Sequence, residues 1–173
     1  MTADVDDSEA DFRGFVQEHW ARVCGYVAAL GAPPDVVDEA VQDAFIVMSR
    51  EWQRLRDEAP KAYLFAVAHN RAVKLIRRHR AHAAATQSLE AMQVDLIDPR
   101  SDPVQVVTRE TLADLLRRLP SRQRQAVELR YVHGFSIAET AEIMGTSTGT
   151  VKRSTYDGMQ ALQQHTEEGE GAR

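Results

Sequence analysis

The side chains best suited to bind DNA lie in the C-terminal third of the chain. Hydroxyl, cationic and phenol groups recur there within nine residues, at Thr148, Thr150, Lys152, Arg153, Thr155 and Tyr156. Hydroxyls and amines bind phosphate oxygens, and an arginine can also pair with the edge of a guanine. At the start of a helix, such side chains would reach both the phosphates and the base edges of a duplex.

The residues around this set follow the pattern of a helix, a tight turn and a second helix. Ser136 and Glu139 have the spacing of a capping box, which begins a helix, and Gly145 supplies a left-handed residue that ends it. Val151 then falls where the second helix must contact the first. The pattern indicates a helix-turn-helix whose second helix enters the major groove. An ordinary helical hairpin is the alternative interpretation.

A second set of side chains suited to nucleic acid lies on a helix predicted from Lys61 to about His82. At 100° per residue, one face of this helix carries Tyr63, Asn70, Lys74 and Arg77, with Arg78 nearby. A ring flanked by cations suits melted nucleic acid, because an unpaired base can stack on it. A polar loop predicted over 53–60, with Arg54 and Arg56, would close over such a base. A solvated basic helix explains the same pattern, and both interpretations stay open.

A third set of polar side chains is acidic and lies on the helix predicted from Pro34 to about Trp52. Its polar face carries Asp35, Asp38, Glu39, Gln42 and Asp43. A solvated surface is the simplest interpretation of such a face. Beside the basic helix that follows it, the same face would instead be a docking surface for a protein partner.

Catalytic chemistry has little support in the sequence. His79 and His82 lie in a run of arginines without a nearby carboxylate, which makes a poor metal site. No glycine loop of the type that cradles phosphates is present, and no Ser–His–Asp arrangement is recognisable. The single cysteine, Cys24, excludes a disulfide framework. We therefore expect no catalytic residue, no metal and no cofactor.

Charge is distributed unevenly along the 173 residues, whose net charge is −5. Residues 1–52 carry 3 basic and 11 acidic residues, whereas residues 53–82 carry 8 basic and 2 acidic residues. The local field matters more to a phosphate backbone than the total does. The acidic N-terminus does not resemble a signal peptide, and no apolar run is long enough for membrane insertion. These features predict a cytoplasmic protein.

Apolar residues recur at helical spacing through most of the chain, and no strand pattern is recognisable. The sequence therefore predicts an all-α fold of two small helical domains joined by a flexible linker. The predicted parts are a disordered acidic N-terminus (1–8), a helical domain (9–82), a linker (83–103), a second helical domain (104–164) and a disordered tail (165–173).

These features together resemble the sigma factors of bacterial RNA polymerase, in the small extracytoplasmic-function (ECF) class of the sigma-70 family. The resemblance covers about 12–164. The segment RLPSRQRQAVELRYVHGFSIAETAEIMGTSTGTVKRS is similar to region 4, which reads the minus-thirty-five promoter element. DVVDEAVQDAF resembles the region 2 helix that binds the polymerase clamp, and YLFAVAHNRAVKLIRR resembles the helix that opens and reads the minus-ten element.

The resemblance implies a transcription initiation factor that binds core RNA polymerase, directs it to promoters and assists melting. It gives residues 9–82 a region 2-like role and residues 104–164 a region 4-like role. It assigns the minus-thirty-five element to the set between Thr148 and Tyr156. It assigns the minus-ten element to Arg54, Arg56, Tyr63, Asn70, Lys74, Arg77 and Arg78, and polymerase binding to Asp38, Gln42, Asp43 and Phe45. An anti-sigma factor is an implied partner.

The sequence departs from the family pattern in several places. Many members have a tryptophan where Tyr63 stands, an arginine at His69 and an acidic residue at Lys74. The recognition helix reads VKRST where VKSR is commoner. Asp157 and Gly158 follow the recognition residues where basic residues or alanine are usual.

Two other functions remain as alternatives. A stand-alone helix-turn-helix regulator would use its N-terminal helices to sense or dimerise, but this leaves the basic, aromatic-bearing helix unexplained. An adaptor that binds only proteins leaves the basic recognition helix unexplained.

Overall fold

The computed structural model describes residues 3–89 and 112–170, and side chains within them over 8–83 and 114–164. This part of the chain forms seven α-helices and one π-helical turn, and it contains no strand. The predicted all-α fold is therefore confirmed. Residues 90–111, which include most of the predicted linker and the start of the second predicted domain, lie outside the described residues.

Three helices form the N-terminal unit: α1 (Ala3–Ala29), α2 (Pro34–Leu55) and α3 (Pro60–Leu89). Gly31, with a φ of +83°, turns the chain after α1, and Pro34 begins α2 in the first turn, where a missing N–H costs nothing. α2 packs against both α1 and α3. The largest fully buried side chains between these helices are Tyr26, Met48, Leu64 and Phe65.

Helices extend further than the sequence pattern indicates at several places. α1 begins at Ala3, inside the stretch predicted as disordered, and Ser8 is buried where it accepts a 2.6 Å hydrogen bond from Gln53. Acidic residues in its first turns favour the positive end of the helix dipole. α3 continues to Leu89, through an alanine-rich stretch predicted as linker, because alanine is the best helix former.

The C-terminal unit contains α4 (Leu112–Arg118), α5 (Ser121–Val127), a π-helical turn (Glu128–Val132), α6 (Ile137–Ile143) and α7 (Thr148–Glu170). α7 runs six residues past the predicted end at Gln164, into the stretch predicted as a disordered tail. Three of these six residues are glutamates, which are good helix formers, and no proline interrupts them.

The helix-turn-helix is confirmed by its hydrogen bonds. The Glu139 N–H donates to Ser136 Oγ at 3.2 Å, and the Ser136 N–H donates to Glu139 Oε2 at 2.7 Å, which completes the capping box. Gly145 has a φ of +59° after α6, as a left-handed helix end requires. Val151 is fully buried between α6 and α7.

Gly158 allows α7 to cross α5 at close range. A Cβ at this position would lie 2.8 Å from Cγ2 of Val127 and 3.3 Å from Cβ of Gln123. The absence of a side chain is therefore a packing requirement. It explains why glycine stands where the family pattern has alanine.

The two units pack against each other. α6 contacts α3, and three buried residues of the C-terminal unit join the core of the N-terminal unit: Leu129, Phe135 and Ile143. A smaller core, with Leu116, Leu119 and Val127 at its centre, holds the C-terminal unit together on its other side.

Candidate nucleic-acid and polymerase interfaces

The N-terminal turn of α7 is the first candidate DNA-binding surface. Ser147 Oγ accepts a 3.1 Å hydrogen bond from the Thr150 N–H, and this cap fixes where α7 begins. Its hydroxyl also bonds the hydroxyl of Thr150 at 2.9 Å. Thr148 and Lys152 are exposed, and the Arg153 side chain is 86% exposed with Nε 3.7 Å from Asp157 Oδ2. An exposed ion pair of this kind is weak, so Arg153 can exchange Asp157 for a phosphate or a base.

Two more residues of this predicted set differ in their orientation. Tyr156 is 63% exposed, and its hydroxyl accepts a 2.9 Å hydrogen bond from Gln160. The hydroxyl oxygen of Thr155 is buried and has no partner among the described residues. Thr155 therefore points into the unit and does not present its hydroxyl to a duplex. Helical spacing alone placed it with its exposed neighbours.

The exposed face of α3 is the second candidate DNA-binding surface. Asn70, Lys74 and Arg77 are exposed, and Tyr63 is half-buried against the core, which fixes the position of its ring. Arg78 lies 3.5 Å from Glu39 of α2. The face thus combines one anchored ring, one amide and cations that are largely unshielded, as stacking on an unpaired base requires.

The two arginines predicted to close over a base already have carboxylate neighbours. Arg54 belongs to the last turn of α2, and its Nε lies 3.1 Å from Glu51. Arg56 lies 3.7 Å from Asp11 of α1. The segment after α2 is only Arg56–Ala59, shorter than the predicted loop over 53–60, because α2 continues to Leu55. These arginines reach a base only by giving up those ion pairs.

The third candidate surface lies on α2, and one of its predicted residues is buried. Asp38 and Gln42 are exposed, and Asp43 pairs with Arg71 of α3 at 3.8 Å. Phe45 is only 6% exposed because the indole of Trp20, from α1, stacks on its ring with centroids 5.3 Å apart. Phe45 therefore supports the surface from beneath.

The apolar residues that a partner would meet on this surface were missed in the sequence. Trp20 is 38% exposed and Ile46 is 48% exposed, next to the acidic face of α2. The sequence signal for this apolar surface was Ile46, an isoleucine that falls one position outside the buried stripe of α2. A surface with an exposed indole, an isoleucine and carboxylates is typical of a protein interface.

Buried titratable groups line the seam between the two units. Burial raises the pKa of Glu128 to about 7, and Arg124 offsets part of this effect. Burial lowers the pKa of His133 to about 4, with further lowering from the charges of Lys61 and Arg22. Glu128 and His133 also border a cleft of about 960 Å³ between α1 and the C-terminal unit.

Two simple observations limit the chemistry of the described residues. They contain no group of three or more histidine, cysteine, aspartate or glutamate residues placed to hold a metal ion. Of the helices in this part of the chain, none is long and apolar enough to cross a membrane.

Comparison with known proteins places both units in one family. Residues 15–82 match the family model described as sigma-70 region 2, and residues 109–162 match the model described as sigma-70, region 4. The chain is 29% identical, over 166 residues, to the ECF RNA polymerase sigma factor SigK of Mycolicibacterium vanbaalenii, covering 90% of this chain and 81% of that protein. It is 35% identical over 116 residues to the ECF RNA polymerase sigma factor SigM of Mycobacterium tuberculosis, covering 66% of this chain and 56% of that protein.

Two solved structures have the same fold. The sigma factor RpoE of Bartonella quintana, in complex with the anti-sigma factor NepR, superposes with a TM-score of 0.65 at 20% identity, covering 91% of this chain and 97% of that chain. CnrH, in complex with the cytosolic domain of CnrY, gives a TM-score of 0.56 at 22% identity, with coverage of 91% and 88%.

The helix-turn-helix and the three-helix unit thus define a two-part transcription initiation factor. The chain belongs to the sigma-70 family of bacterial RNA polymerase sigma factors, in the ECF class. The family resemblance predicted from the sequence motifs is confirmed.

Proposed function

We propose that this chain binds core RNA polymerase, directs it to specific promoters and assists their melting. The observation that carries the proposal is that one chain presents three different exposed surfaces. These are a mixed acidic and apolar face on α2, an aromatic and cationic face on α3, and the capped N-terminus of a recognition helix in α7. A stand-alone regulator has no use for the first two surfaces together.

The face on α2 binds the polymerase in this proposal. Asp38 and Gln42 are exposed, and among the described residues Asp38 makes no ion pair. Trp20 and Ile46 add an apolar surface beside them. Burying exposed apolar area contributes most of the affinity of such a contact, and the carboxylate supplies orientation.

The other two surfaces divide the promoter between them. Thr148, Lys152, Arg153 and Tyr156 at the start of α7 read the minus-thirty-five element as duplex. Tyr63 on α3 stacks a base of the minus-ten element after the strands separate, while Asn70, Lys74, Arg77 and Arg78 hold the backbone or base edges. Arg54 and Arg56 assist once they leave their carboxylate partners.

An anti-sigma factor is a further proposed partner. The support is the likeness in fold to the sigma factor RpoE, whose structure contains the anti-sigma factor NepR. CnrH, which has the same fold, was solved with the cytosolic domain of CnrY. Co-purification of the chain with a protein that lowers its transcription activity in vitro would identify such a partner.

Transcription from a duplex promoter by core polymerase tests the proposed function. Promoters would first be selected by sequencing the transcripts that core polymerase makes only when the chain is added. Asp38→Lys combined with Gln42→Ala should lower affinity for core polymerase, and Trp20→Ala should lower it further. Arg13→Ala, which removes an exposed cation of α1 paired with Glu9, is the control. A chain that binds a DNA site but never binds core polymerase would instead be a stand-alone regulator.

A further inference from the structure

Two residues of the candidate DNA-binding surface on α7 each contact a side chain one turn further along the helix. Nε of Arg153 lies 3.7 Å from Oδ2 of Asp157, and the hydroxyl of Tyr156 accepts a 2.9 Å hydrogen bond from Nε2 of Gln160. In both pairs the second residue follows the first by four positions, the spacing that brings side chains together on a helix surface. Neither Asp157 nor Gln160 belongs to the predicted DNA-binding set.

The contact with Asp157 leaves the outer end of the Arg153 side chain available. A guanidinium carries N–H groups on Nε and on both terminal nitrogens. The carboxylate lies beside Nε, and Arg153 has no second partner among the residues that the structure describes. Because a guanine edge is bound by a pair of N–H groups, the terminal nitrogens can bind it while Nε keeps its contact with Asp157.

The same carboxylate opposes a contact between Arg153 and a phosphate. A phosphate oxygen that approaches the guanidinium would also approach Asp157, and the two negative charges repel each other. A guanine edge carries no net charge and meets no such repulsion. Asp157 therefore favours a contact of Arg153 with a base edge, which carries sequence information, over a contact with the backbone, which carries none.

The hydrogen bond from Gln160 prepares the hydroxyl of Tyr156 to act as a donor. A phenol hydroxyl can both donate and accept. Gln160 supplies the donor that this oxygen accepts, so the hydroxyl proton is left for an acceptor on DNA. A hydroxyl that accepts a hydrogen bond is also a stronger donor, because the two bonds polarise each other. The side chain of Tyr156 is largely exposed, so DNA can reach this hydroxyl.

Asp157 and Gln160 lie where α7 is packed against the rest of its unit. Gly158, the next residue after Asp157, is buried, and a Cβ there would lie 2.8 Å from Cγ2 of Val127 on α5. Met159, on the other side of Gly158, packs against the smaller core. The backbone that carries both side chains is therefore held in place, as the support of a recognition residue must be.

Stabilisation of the helix is a weaker explanation of the Arg153–Asp157 pair. Pairs at this spacing stabilise a helix slightly, but the favourable order places the acidic residue before the basic one. Here arginine comes first, so the pair has the less stabilising order. A role in orienting Arg153 explains the carboxylate better than a role in stability does.

We propose that Asp157 and Gln160 are positioning residues of the DNA-binding surface: Asp157 directs the terminal nitrogens of Arg153 to a guanine edge, and Gln160 directs the hydroxyl proton of Tyr156 to an acceptor on DNA. The proposal rests on the proposed function, because it deepens the role of α7 in reading the minus-thirty-five element. Both residues act through their neighbours and need no contact with DNA.

Selection from a randomised minus-thirty-five library tests the role of Asp157. Wild type, Asp157→Ala, Arg153→Ala and the double variant would each bind the library together with core polymerase, and the bound DNA would be sequenced. Asp157→Ala should reduce the preference for guanine about threefold to tenfold at the base pair where Arg153→Ala acts, because an unrestrained arginine loses more side-chain entropy on binding. The double variant should be no less specific than Arg153→Ala. Gln164→Ala, at an exposed position of the same helix, is the control.

Total binding to the library separates positioning from a simple effect of charge. Asp157→Ala removes a negative charge, so binding to all sequences together should strengthen. Tighter binding with an unchanged base preference would show that Asp157 only repels phosphates, and this would overturn its positioning role. Loss of a cytosine preference at a different base pair would overturn it as well, because a carboxylate that accepts from cytosine reads DNA directly.

Tyr156→Phe provides the corresponding test of Gln160. Gln160→Ala should weaken promoter binding about twofold to threefold, because the hydroxyl of Tyr156 then becomes a weaker donor. In the Tyr156→Phe background, which has no hydroxyl, the same change should have no effect. An equal effect in both backgrounds would mean that Gln160 acts without Tyr156, and its positioning role would be wrong.

The same selection without core polymerase distinguishes this proposal from the proposed function. If wild type selects a sequence only when polymerase is absent, and Asp157→Ala reduces that preference, the proposed function fails and positioning by Asp157 stands. If wild type directs polymerase to a promoter but Asp157→Ala keeps the base preference, positioning is wrong and the proposed function stands. If wild type selects no sequence in either condition, both are wrong.

Discussion

Glu128 is a buried carboxyl that contributes to the pH dependence of the stability of this protein. It lies beneath the surface of the π-helical turn, only 7% exposed, where burial raises its pKa to about 7. The unfolded chain ionises this group near its ordinary value of 4.5, so folding becomes less favourable as the pH rises from about 4.5 to 7. His133 acts in the opposite sense, because its pKa falls from 6.5 to about 4 and folding becomes less favourable as the pH drops between those values.

Glu128→Gln should therefore stabilise the protein at pH 8 by about 2 kcal/mol and leave it unchanged near pH 4, where the wild-type carboxyl is protonated in both states. The variant should also lose stability more steeply below pH 6.5, because nothing then offsets His133. Thermal denaturation from pH 4 to 8 would measure both effects, with Glu142→Gln on the exposed face of α6 as control. A Glu128→Gln protein less stable than wild type at pH 8 would show that the carboxylate has a favourable partner.

Arg153 and Lys152 are adjacent, but replacing each of them with alanine should affect promoter binding differently. An arginine that pairs with a base edge contributes roughly 1–3 kcal/mol of discrimination at one base pair, so Arg153→Ala should relax specificity there. A lysine on a phosphate carries no sequence information, so Lys152→Ala should weaken all promoters alike and reduce the salt dependence of binding. Transcription from a randomised minus-thirty-five library measures both. Unchanged output and sequence preference in both variants would mean that this part of α7 does not contact DNA.

At the scale of the helices, α5 and α7 cross closely at Gly158. Gly158→Ala should destabilise the protein by about 1–2 kcal/mol, because overpacking against Val127 outweighs the gain in helix propensity. Gly149→Ala, on the same helix, meets only Ser147 Oγ at 3.8 Å and should stabilise by up to about 1 kcal/mol. Chemical denaturation would compare the two. Adding Val127→Ala to Gly158→Ala should recover part of the loss if the clash is its cause.

The exposed face of α3 should act on melted DNA. Removing one aromatic stack costs roughly 1–3 kcal/mol, so Tyr63→Ala should reduce open complex about ten- to hundredfold on a duplex promoter. Asn70→Ala should impair the same step. A template with a pre-opened bubble should partly rescue a melting defect but not a defect in base capture, and permanganate reactivity of thymines reports the opening directly. If both variants open the promoter at the wild-type rate, this face is only a solvated helix surface.

At the scale of the whole molecule, the charge distribution opposes DNA binding by the free chain. The net charge is −5, and α2 supplies carboxylates that pair with Arg71 and Arg78 of the basic helix. The protein alone therefore presents less positive potential to DNA than the basic segment 53–82 would in isolation.

The free chain should accordingly leave a promoter duplex unbound at protein concentrations where its complex with core polymerase binds fully. Electrophoretic mobility shifts at 50 and 200 mM salt would measure the difference. Equal affinity of the chain with and without polymerase would contradict this expectation.

The sequence alone predicted those features whose cause is local. Ser136 with Glu139 is the start signal of α6, and Gly145 is its stop signal. Each depends only on residues close in sequence, and the structure has both. The paired prolines before α2 and the apolar stripes of α1, α2 and α3 are also local signals, and they were enough to predict an all-α fold. Helix ends were predicted less well, because alanine, glutamine and glutamate continue a helix without extending the repeat of large apolar residues from which its length was predicted.

The tertiary structure alone decided which of the predicted interface residues face a partner. Phe45 lies beneath Trp20, 25 positions away in sequence, and the Thr155 hydroxyl points into its own unit. Phe135 packs on Phe65, 70 positions away in sequence. Helical spacing fixes the face on which a residue lies but says nothing of the helix packed against that face. Which helix covers a given face depends on how apolar surfaces that are distant in sequence fit together, so it is determined only when the whole chain folds.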